Sequence, residues 1–389
     1  MCPSYMVTRE EIHSTRGRAR LLYEMLQGDV VAKGWRDTHV REALDLCLAC
    51  KGCRNECPVN VDMATYKSEF LAHYYAGRLR PVTAYSMGWI YWWVRLASQI
   101  PRVANFFTHS RPFSTLMKFA GGISHQREIP RFASPTFVEW FRRRKQRERH
   151  AARARRYEGR LWLRHEDVPR FQTDTYRDDG APNGLNPHAA RGRSQSKRVM
   201  LWPDTFTNYL RPEAAKAAVE VLEDAGFEIA IPPRPLCCGR PLYDWGFLKT
   251  AKKLWRQTLR VLQPEIDAGV PLVGMEPSCV AAFRDELVNL FPGEGRAKRL
   301  SDQTYLLSEF LEQEGYEPPP LDHKALVHGH CHHKAVMHMD AEVAKAGPGL
   351  PVAGFRLLWH GGGIWIRKAQ IRRIDQGGRT RAFASRSRR

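Results

Sequence analysis

Residues 47–58 read CLACKGCRNECP, which sets Cys47, Cys50, Cys53 and Cys57 at the spacing C-x2-C-x2-C-x3-C with Pro58 directly behind. Few chemistries need four thiolates packed so tightly. Cysteines at i, i+3 and i+6 wrap one corner of a cubane, each offering sulfur to a different iron. The fourth, set back and turned away by proline, ligates the other cluster where two clusters pair. Zinc also takes cysteine tetrads, but structural zinc joins two C-x2-C knuckles separated by a dozen or more residues. Disulfides between such close neighbours would strain the bridge. The pattern favours 4Fe-4S ligation over zinc, and with it electron transfer.

The surrounding chain is predicted to be helical as far as about residue 140. Thr8-Arg9-Glu10-Glu11 offers an N-cap followed by acidic first-turn residues. Val40 to Leu48 has helical apolar spacing and leads into the cysteine loop, and Asp62 is placed to cap a helix over Met63–Tyr75. Val82 to Phe107 is rich in aromatic residues, with Trp89, Tyr91, Trp92 and Trp93 beside Arg95 and Arg102. It reads as a buried helix pair, an interfacial amphipathic helix resting on a membrane, or a quinone-contacting face. From Arg143 to Lys197 the periodicity fails, and the stretch reads as a linker or insertion.

Order resumes at Val199. Short apolar runs at Val199–Pro203, Phe227–Ile231, Pro271–Met275 and Ala325–His328 read as strands. Helical patterns over Pro212–Ala225 and Trp245–Ala268 separate them. Strands alternating with helices predict a mainly parallel sheet. The expected organisation is a helical domain over 1–140, an Arg-rich linker over 141–197, an α/β domain over 198–352 and a basic tail over 353–389. The fold class is α+α/β.

A second cysteine system falls at the predicted strand ends, where open α/β sheets place their sites. Cys237-Cys238-Gly239 follows one strand, Glu276-Pro277-Ser278-Cys279 another, and His330-Cys331-His332-His333 a third. A lone Cys279 or Cys331 reads as a small buried hydrophobe. Three cysteine sites at successive strand ends favour one shared metal site. The histidines are open to roles as ligands, proton carriers or loop residues.

The composition bounds the rest. A chain of 389 residues allows two or three domains, and 43% hydrophobic residues support packed cores. Met1–Glu11 is polar and lacks the apolar core of a leader, and no run of about 18 uncharged apolar residues appears. Nine clustered cysteines fit a reducing, cytoplasmic setting, with peripheral attachment to the inner face of a membrane open. The formal charge of +20 gathers at Arg142–Arg160 and after Arg367. No nucleic-acid motif accompanies it, so no nucleic-acid partner is expected.

The segments MCPSYMVTREE, HSTRGRARLL, CLACKGCRNECPVNVDMATYKSEF, LWPDTFTNYL, LCCGRPLYDWGFL, EPSCVAAFRDEL and HCHHKAV together resemble the iron–sulfur region of FAD-linked 2-hydroxyacid dehydrogenases, whose members act on glycolate, D-lactate or D-2-hydroxyglutarate. A similar pairing of a helical two-cluster ferredoxin module with a cysteine-rich CCG domain recurs in anaerobic glycerol-3-phosphate dehydrogenase and in heterodisulfide reductases. The resemblance implies one or more 4Fe-4S clusters. It implies FAD in a missing or partner flavoprotein domain, and electrons passed on to quinone or another acceptor. The chain alone is not expected to oxidise a hydroxyacid. Met1-Cys2-Pro3 resembles the end of a first ferredoxin motif, so Cys2 is the expected remaining ligand of the cluster held by Cys47, Cys50 and Cys53, and Cys57 would serve the other cluster. Cys237, Cys238, Cys279 and Cys331 are the expected ligands of the second site.

Two departures from the family pattern imply an N-terminal truncation and a C-terminal frameshift. The partner cysteines of Cys2 would lie upstream. Leu357 to Gly361 can be encoded as CTG CTG TGG CAT GGC, and one base later this reads Cys-Cys-Gly-Met. Extended over Gly354–Lys368, the shift gives DSGCCGMAGGFGFEK, the second Cys-Cys-Gly segment that the family expects. The competing readings are a heterodisulfide-reductase-like catalytic subunit and a non-functional remnant.

Overall fold

The computed structural model describes residues 2–164, 197–317, 329–337 and 339. Pro3 opens α1 (Pro3–Thr8), where a missing N–H costs nothing. The start signal expected at Thr8 is corrected: Thr8 ends α1, and Ser14 caps α2 (Thr15–Gln27) by accepting from the Gly17 N–H at 2.8 Å. Asp37 accepts two backbone N–H bonds at the head of α3 (Thr38–Asp45). The cysteine loop follows and holds one short helix, α4 (Gly52–Glu56). Ala49, Lys51 and Asn60 adopt left-handed φ values of 51°, 59° and 54°, which let the loop double back. Asp62 caps α5 (Met63–Tyr74), as the sequence predicts. The apolar sides of α2, α3 and α5 meet around Met25, Val40, Leu44 and Phe70. Burying Phe70 contributes about 1.5–3 kcal/mol.

The aromatic stretch forms three helices, α6 (Val82–Gly88), α7 (Ile90–Ala97) and α8 (Pro101–His109), followed by α9 (Phe113–Ala120). Its two faces behave differently. Tyr91 and Val94 are buried, and Trp89 and Trp92 pack against the core of the second half, whereas Trp93 is 51% exposed. Next comes α10 (Phe137–Arg164), which corrects the loss of order expected from Arg143. Arg and Ala are good helix formers, and Arg144 pairs with Glu148 one turn on at 3.0 Å. The rest of the predicted linker lies outside the described residues.

The second half is built on four parallel strands. β1 (Arg198–Trp202) leads through α11 (Thr205–Tyr209) and α12 (Pro212–Asp224) to β2 (Glu228–Ala230). Then come α13 (Arg240–Asp244), α14 (Leu248–Val261), α15 (Gln263–Asp267) and β3 (Leu272–Gly274). The single helix expected over Trp245–Ala268 is divided, because Pro264 lacks the donor that would continue α14. β3 runs into α16 (Pro277–Ala281), a π-helical turn over Ala282–Glu286, α17 (Leu287–Leu290) and α18 (Gly295–Asp302). β4 (Thr304–Leu306), α19 (Leu307–Gln313) and α20 (Cys331–Met337) complete the described chain. The sequence reading passed over β4, and its fourth strand candidate, Ala325–His328, lies outside the described residues.

The strand order is β2-β1-β3-β4. Met200, Trp202 and Leu272 enter one core, and Val199, Leu201 and Val273 the opposite one, so both faces are covered. The chain runs from β1 to β2 on one side and then crosses to β3 on the other. That reversal opens a crevice beyond the C-terminal ends of β1 and β3, where sites form in open α/β sheets.

The two halves touch closely. Gly246 has φ +69°, and a Cβ there would stand 2.7 Å from both the Ala72 nitrogen and the Leu71 Cβ of α5. Ser68 donates to the Tyr243 carbonyl at 2.6 Å, and Tyr243 shares a hydroxyl bond with Thr65 at 2.9 Å.

Candidate metal centres

Cys2, Cys47, Cys50 and Cys53 gather at the first site. Cys2 sits at the head of α1, where Arg18 donates to its sulfur at 3.1 Å. Arg18 is buried and held by the Ala43 carbonyl at 2.7 Å and the Ser4 hydroxyl at 2.8 Å. Burial opposes ionisation of Cys2, but the Arg18 charge and hydrogen bonds from Ser4, the Tyr5 N–H and Arg18 outweigh it, and its pKa falls below the ordinary thiol value. Burial pushes Cys50 up to about 12, and the neighbouring charges of Cys331, Cys47 and Cys2 add to this. Cys53 is raised by burial, with Cys47, Asp62 and Cys2 adding and the Met63 N–H opposing. Cys47 is buried, and its carbonyl accepts from Lys67 Nζ at 2.5 Å. Cys57 follows α4 as its C-terminal cap and is half-buried.

The second site forms at the sheet's C-terminal edge. Cys237 and Cys238 follow β2, Cys279 follows β3, and Thr205 after β1 hydrogen-bonds Cys237. The Cys279 and Cys238 sulfurs are 3.0 Å apart, and the Gly239 N–H reaches Cys237 Sγ at 3.5 Å. Hydrogen bonds from Cys237 and Cys279, aided by the Arg240 N–H and charge, hold Cys238 well below the usual thiol range despite burial. Cys237 and Cys279 are pushed up, first by hydrogen bonding to Cys238 and then by burial. Of the three thiols, Cys238 is therefore the most acidic. Trp255 Nε1 donates to the Cys238 carbonyl at 2.5 Å. Gly239 has φ +74°, and a Cβ there would stand 2.8 Å from that same indole nitrogen, so glycine is required.

Cys331 does not join the contact between Cys238 and Cys279. It opens α20, which packs against both α4 and α16, and its charge acts on Cys50. Burial raises the Cys331 pKa. His332, buried beside it, is kept well below the ordinary imidazole value by burial and by the Arg240 charge. The neutral ring therefore donates from Nε2 to the Ala49 carbonyl, 3.1 Å away. His330 Nδ1 accepts from the His332 N–H at 3.2 Å, and its Nε2 lies 3.8 Å from Glu276. Ligand atoms of His330, Cys331 and His332 lie within 4.8 Å of one another.

A buried set of charges joins the two sites, and nothing in the sequence reading foresaw it. Lys51 Nζ, fully enclosed, reaches Asp62 at 2.7 Å, Glu286 at 3.3 Å and also Asp285. Arg240 pairs with Asp244 at 3.0 Å and with Glu286, and donates to the Ala49 carbonyl at 2.8 Å. Arg54 closes the set on Asp285. Burial alone would neutralise Lys51, but Glu286, Asp62 and Asp285 overcome it and raise its pKa. Ala49, within the first cysteine loop, is thus held by Arg240 and His332, each next to a cysteine site.

Soft thiolates select iron–sulfur clusters or zinc, and two groups of converging, largely buried cysteines fit such a centre. The sequence profile of the 4Fe-4S dicluster domain matches residues 1–61, and that of the cysteine-rich domain matches residues 204–284. A D-2-hydroxyglutarate dehydrogenase of Pseudomonas putida is 28% identical over 344 residues, covering 80% of this chain and 30% of that protein. The Escherichia coli enzyme of the same name is 25% identical over 334 residues, covering 77% and 29%. Lactate utilization protein A of Bacillus subtilis is 30% identical over 155 residues, covering 38% and 63%. The chain spans less than a third of the length of the dehydrogenases it matches. No solved structure matches the chain significantly.

Fold and sites define an iron–sulfur protein in which a ferredoxin-type 4Fe-4S domain precedes an α/β cysteine-rich domain. More particularly, over 80% of its length the chain is similar to a part of D-2-hydroxyglutarate dehydrogenase.

Proposed function

We propose that the chain relays electrons from a flavin centre that oxidises a 2-hydroxyacid to a downstream acceptor such as quinone. The flavin, FAD, would be carried by a flavoprotein domain or subunit. A 4Fe-4S cluster supplies one-electron transfer when bound. Cys47, Cys50, Cys53 and Cys2 would hold it at the first site, and Cys237, Cys238 and Cys279 would provide thiolates at the second. Cys331 is set to serve either. Ionisation of Cys50, pushed up to about 12 in the metal-free chain, makes metal loading release protons. Trp255 and Gly239 fix the Cys238 backbone, while Arg240 and His332 fix Ala49.

One observation carries the reading: Ala49 of the first loop is bonded from both Arg240 and His332, so the two cysteine sites adjoin. A cytoplasmic location, peripheral on the inner face of a membrane, suits a quinone acceptor. No helix among the described residues is long and apolar enough to cross a membrane. Iron and acid-labile sulfide after anaerobic purification, with an EPR spectrum of the reduced protein, test the reading. Iron matched by sulfide, with a reduced-cluster signal, is expected; zinc without sulfide would overturn it.

A further inference from the structure

The outer ridge of α7, α8 and α9 has a use that neither cysteine site explains. Among the described residues, α9 buries none of its side chains, and α8 buries only Thr108. Leu96, Ile100, Phe106, Phe107, Leu116 and Phe119 are 42–70% exposed. The Phe106, Phe107 and Phe113 rings pack on one another, with centroids 5.1–6.0 Å apart. An apolar ridge of this extent marks an interaction surface.

Its charge identifies the partner. The chain has 41 acidic residues, yet none falls between Glu69 and Glu128. Over α7 to α9 the charges are Arg95, Arg102, Arg111 and Lys118, all cationic. None of the four meets a carboxylate among the described residues, and Arg95, Arg102 and Arg111 are exposed. One-signed cations around exposed aromatic and aliphatic side chains match an anionic lipid plane.

We propose that α7–α9 seats in the headgroup layer of a bilayer containing anionic phospholipid. Phe106, Phe107, Leu116 and Phe119 enter the acyl boundary, and Arg95, Arg102, Arg111 and Lys118 contact lipid phosphates. The surface stands independently of the electron relay; its failure would remove the peripheral membrane location and leave the relay itself untouched. The relay would gain from it a position beside a lipid-soluble acceptor.

The test is co-sedimentation of the full, anaerobically purified chain with phosphatidylcholine vesicles, with and without phosphatidylglycerol. Two double variants, F106S/F119S and R102E/R111E, run in parallel. All four positions are exposed, so unchanged iron content and circular dichroism verify the fold. The chain should pellet with the anionic vesicles at least about tenfold better than with neutral ones, and each double variant should lose about tenfold of that affinity. Equal binding to neutral vesicles, or no binding, overturns the proposal. Anionic binding that survives both double variants also overturns it, and assigns the attraction to the Arg-rich stretch at 142–160. Self-association of the chain that both variants abolish, without vesicle binding, would give the ridge to a protein partner instead.

Discussion

The two cysteine sites solve one problem, gathering thiols, by different physics. The first hangs on a loop, shaped by left-handed Ala49 and Lys51 and pinned from outside by buried ions. The second stands on the edge of a parallel sheet, where three strand ends converge and the backbone itself sets the spacing. Their proton content differs accordingly. Burial pushes Cys50 up to about 12, while hydrogen bonds from its two sulfur neighbours lower the Cys238 pKa well below the ordinary thiol value. The loop therefore depends on buried ions for its shape, and the sheet edge on its strands and the Trp255 bond.

Four changes would break or sharpen this contrast. Lys51→Met should be the most damaging. It leaves Asp62, Asp285 and Glu286 without their shared cation, and breaking a buried pair costs about 3–5 kcal/mol. Urea unfolding should show that loss, and iron should leave the first site before the second.

Next comes Asp204, raised to about 6 mainly by burial. The folded protein then holds a proton that the unfolded chain, near 3.8, has already released. Its contribution to stability accordingly falls as pH rises from about 4 to about 6, by at most about 3 kcal/mol. Asp204→Asn keeps an acceptor for the Phe206 and Thr207 N–H groups and should flatten that slope in unfolding measured across this range.

Gly239→Ala should cost about 1–3 kcal/mol through its left-handed backbone and the Trp255 clash. Metal analysis should find the second site depleted and the first intact. The reverse pattern would contradict the division drawn between loop and sheet edge.

The last change, Arg18→Gln, is read at a single thiol rather than in global stability. Without the guanidinium, the Cys2 thiol should rise toward its ordinary value. Alkylation of the metal-free chain at neutral pH should slow at Cys2, and change little at Cys53.

Local spacing carried much of this into the sequence. The Cys47–Cys57 run, the Asp62 cap and the first three strands are each written within a few neighbouring residues, and each is legible there. The second cysteine group followed from strand ends alone. The ions that fasten the halves were not legible: Lys51 and Asp285 are 234 positions apart, and only the folded chain brings them together. The position of Cys331 escaped for the same reason, since α20 packs between α4 and α16. β4 runs straight into α19 at Leu307 with no turn residue between them, so nothing in the sequence sets the strand apart. The Arg-rich stretch of α10 after Phe141 hid its helix because its turns carry few apolar residues.

A potentiometric titration of the anaerobically purified chain, followed by EPR, tests the central claim that the two cysteine sites form one relay. Two reduced-cluster signals that broaden each other once both are populated are predicted. A single signal, or two that remain independent through full reduction, would contradict it.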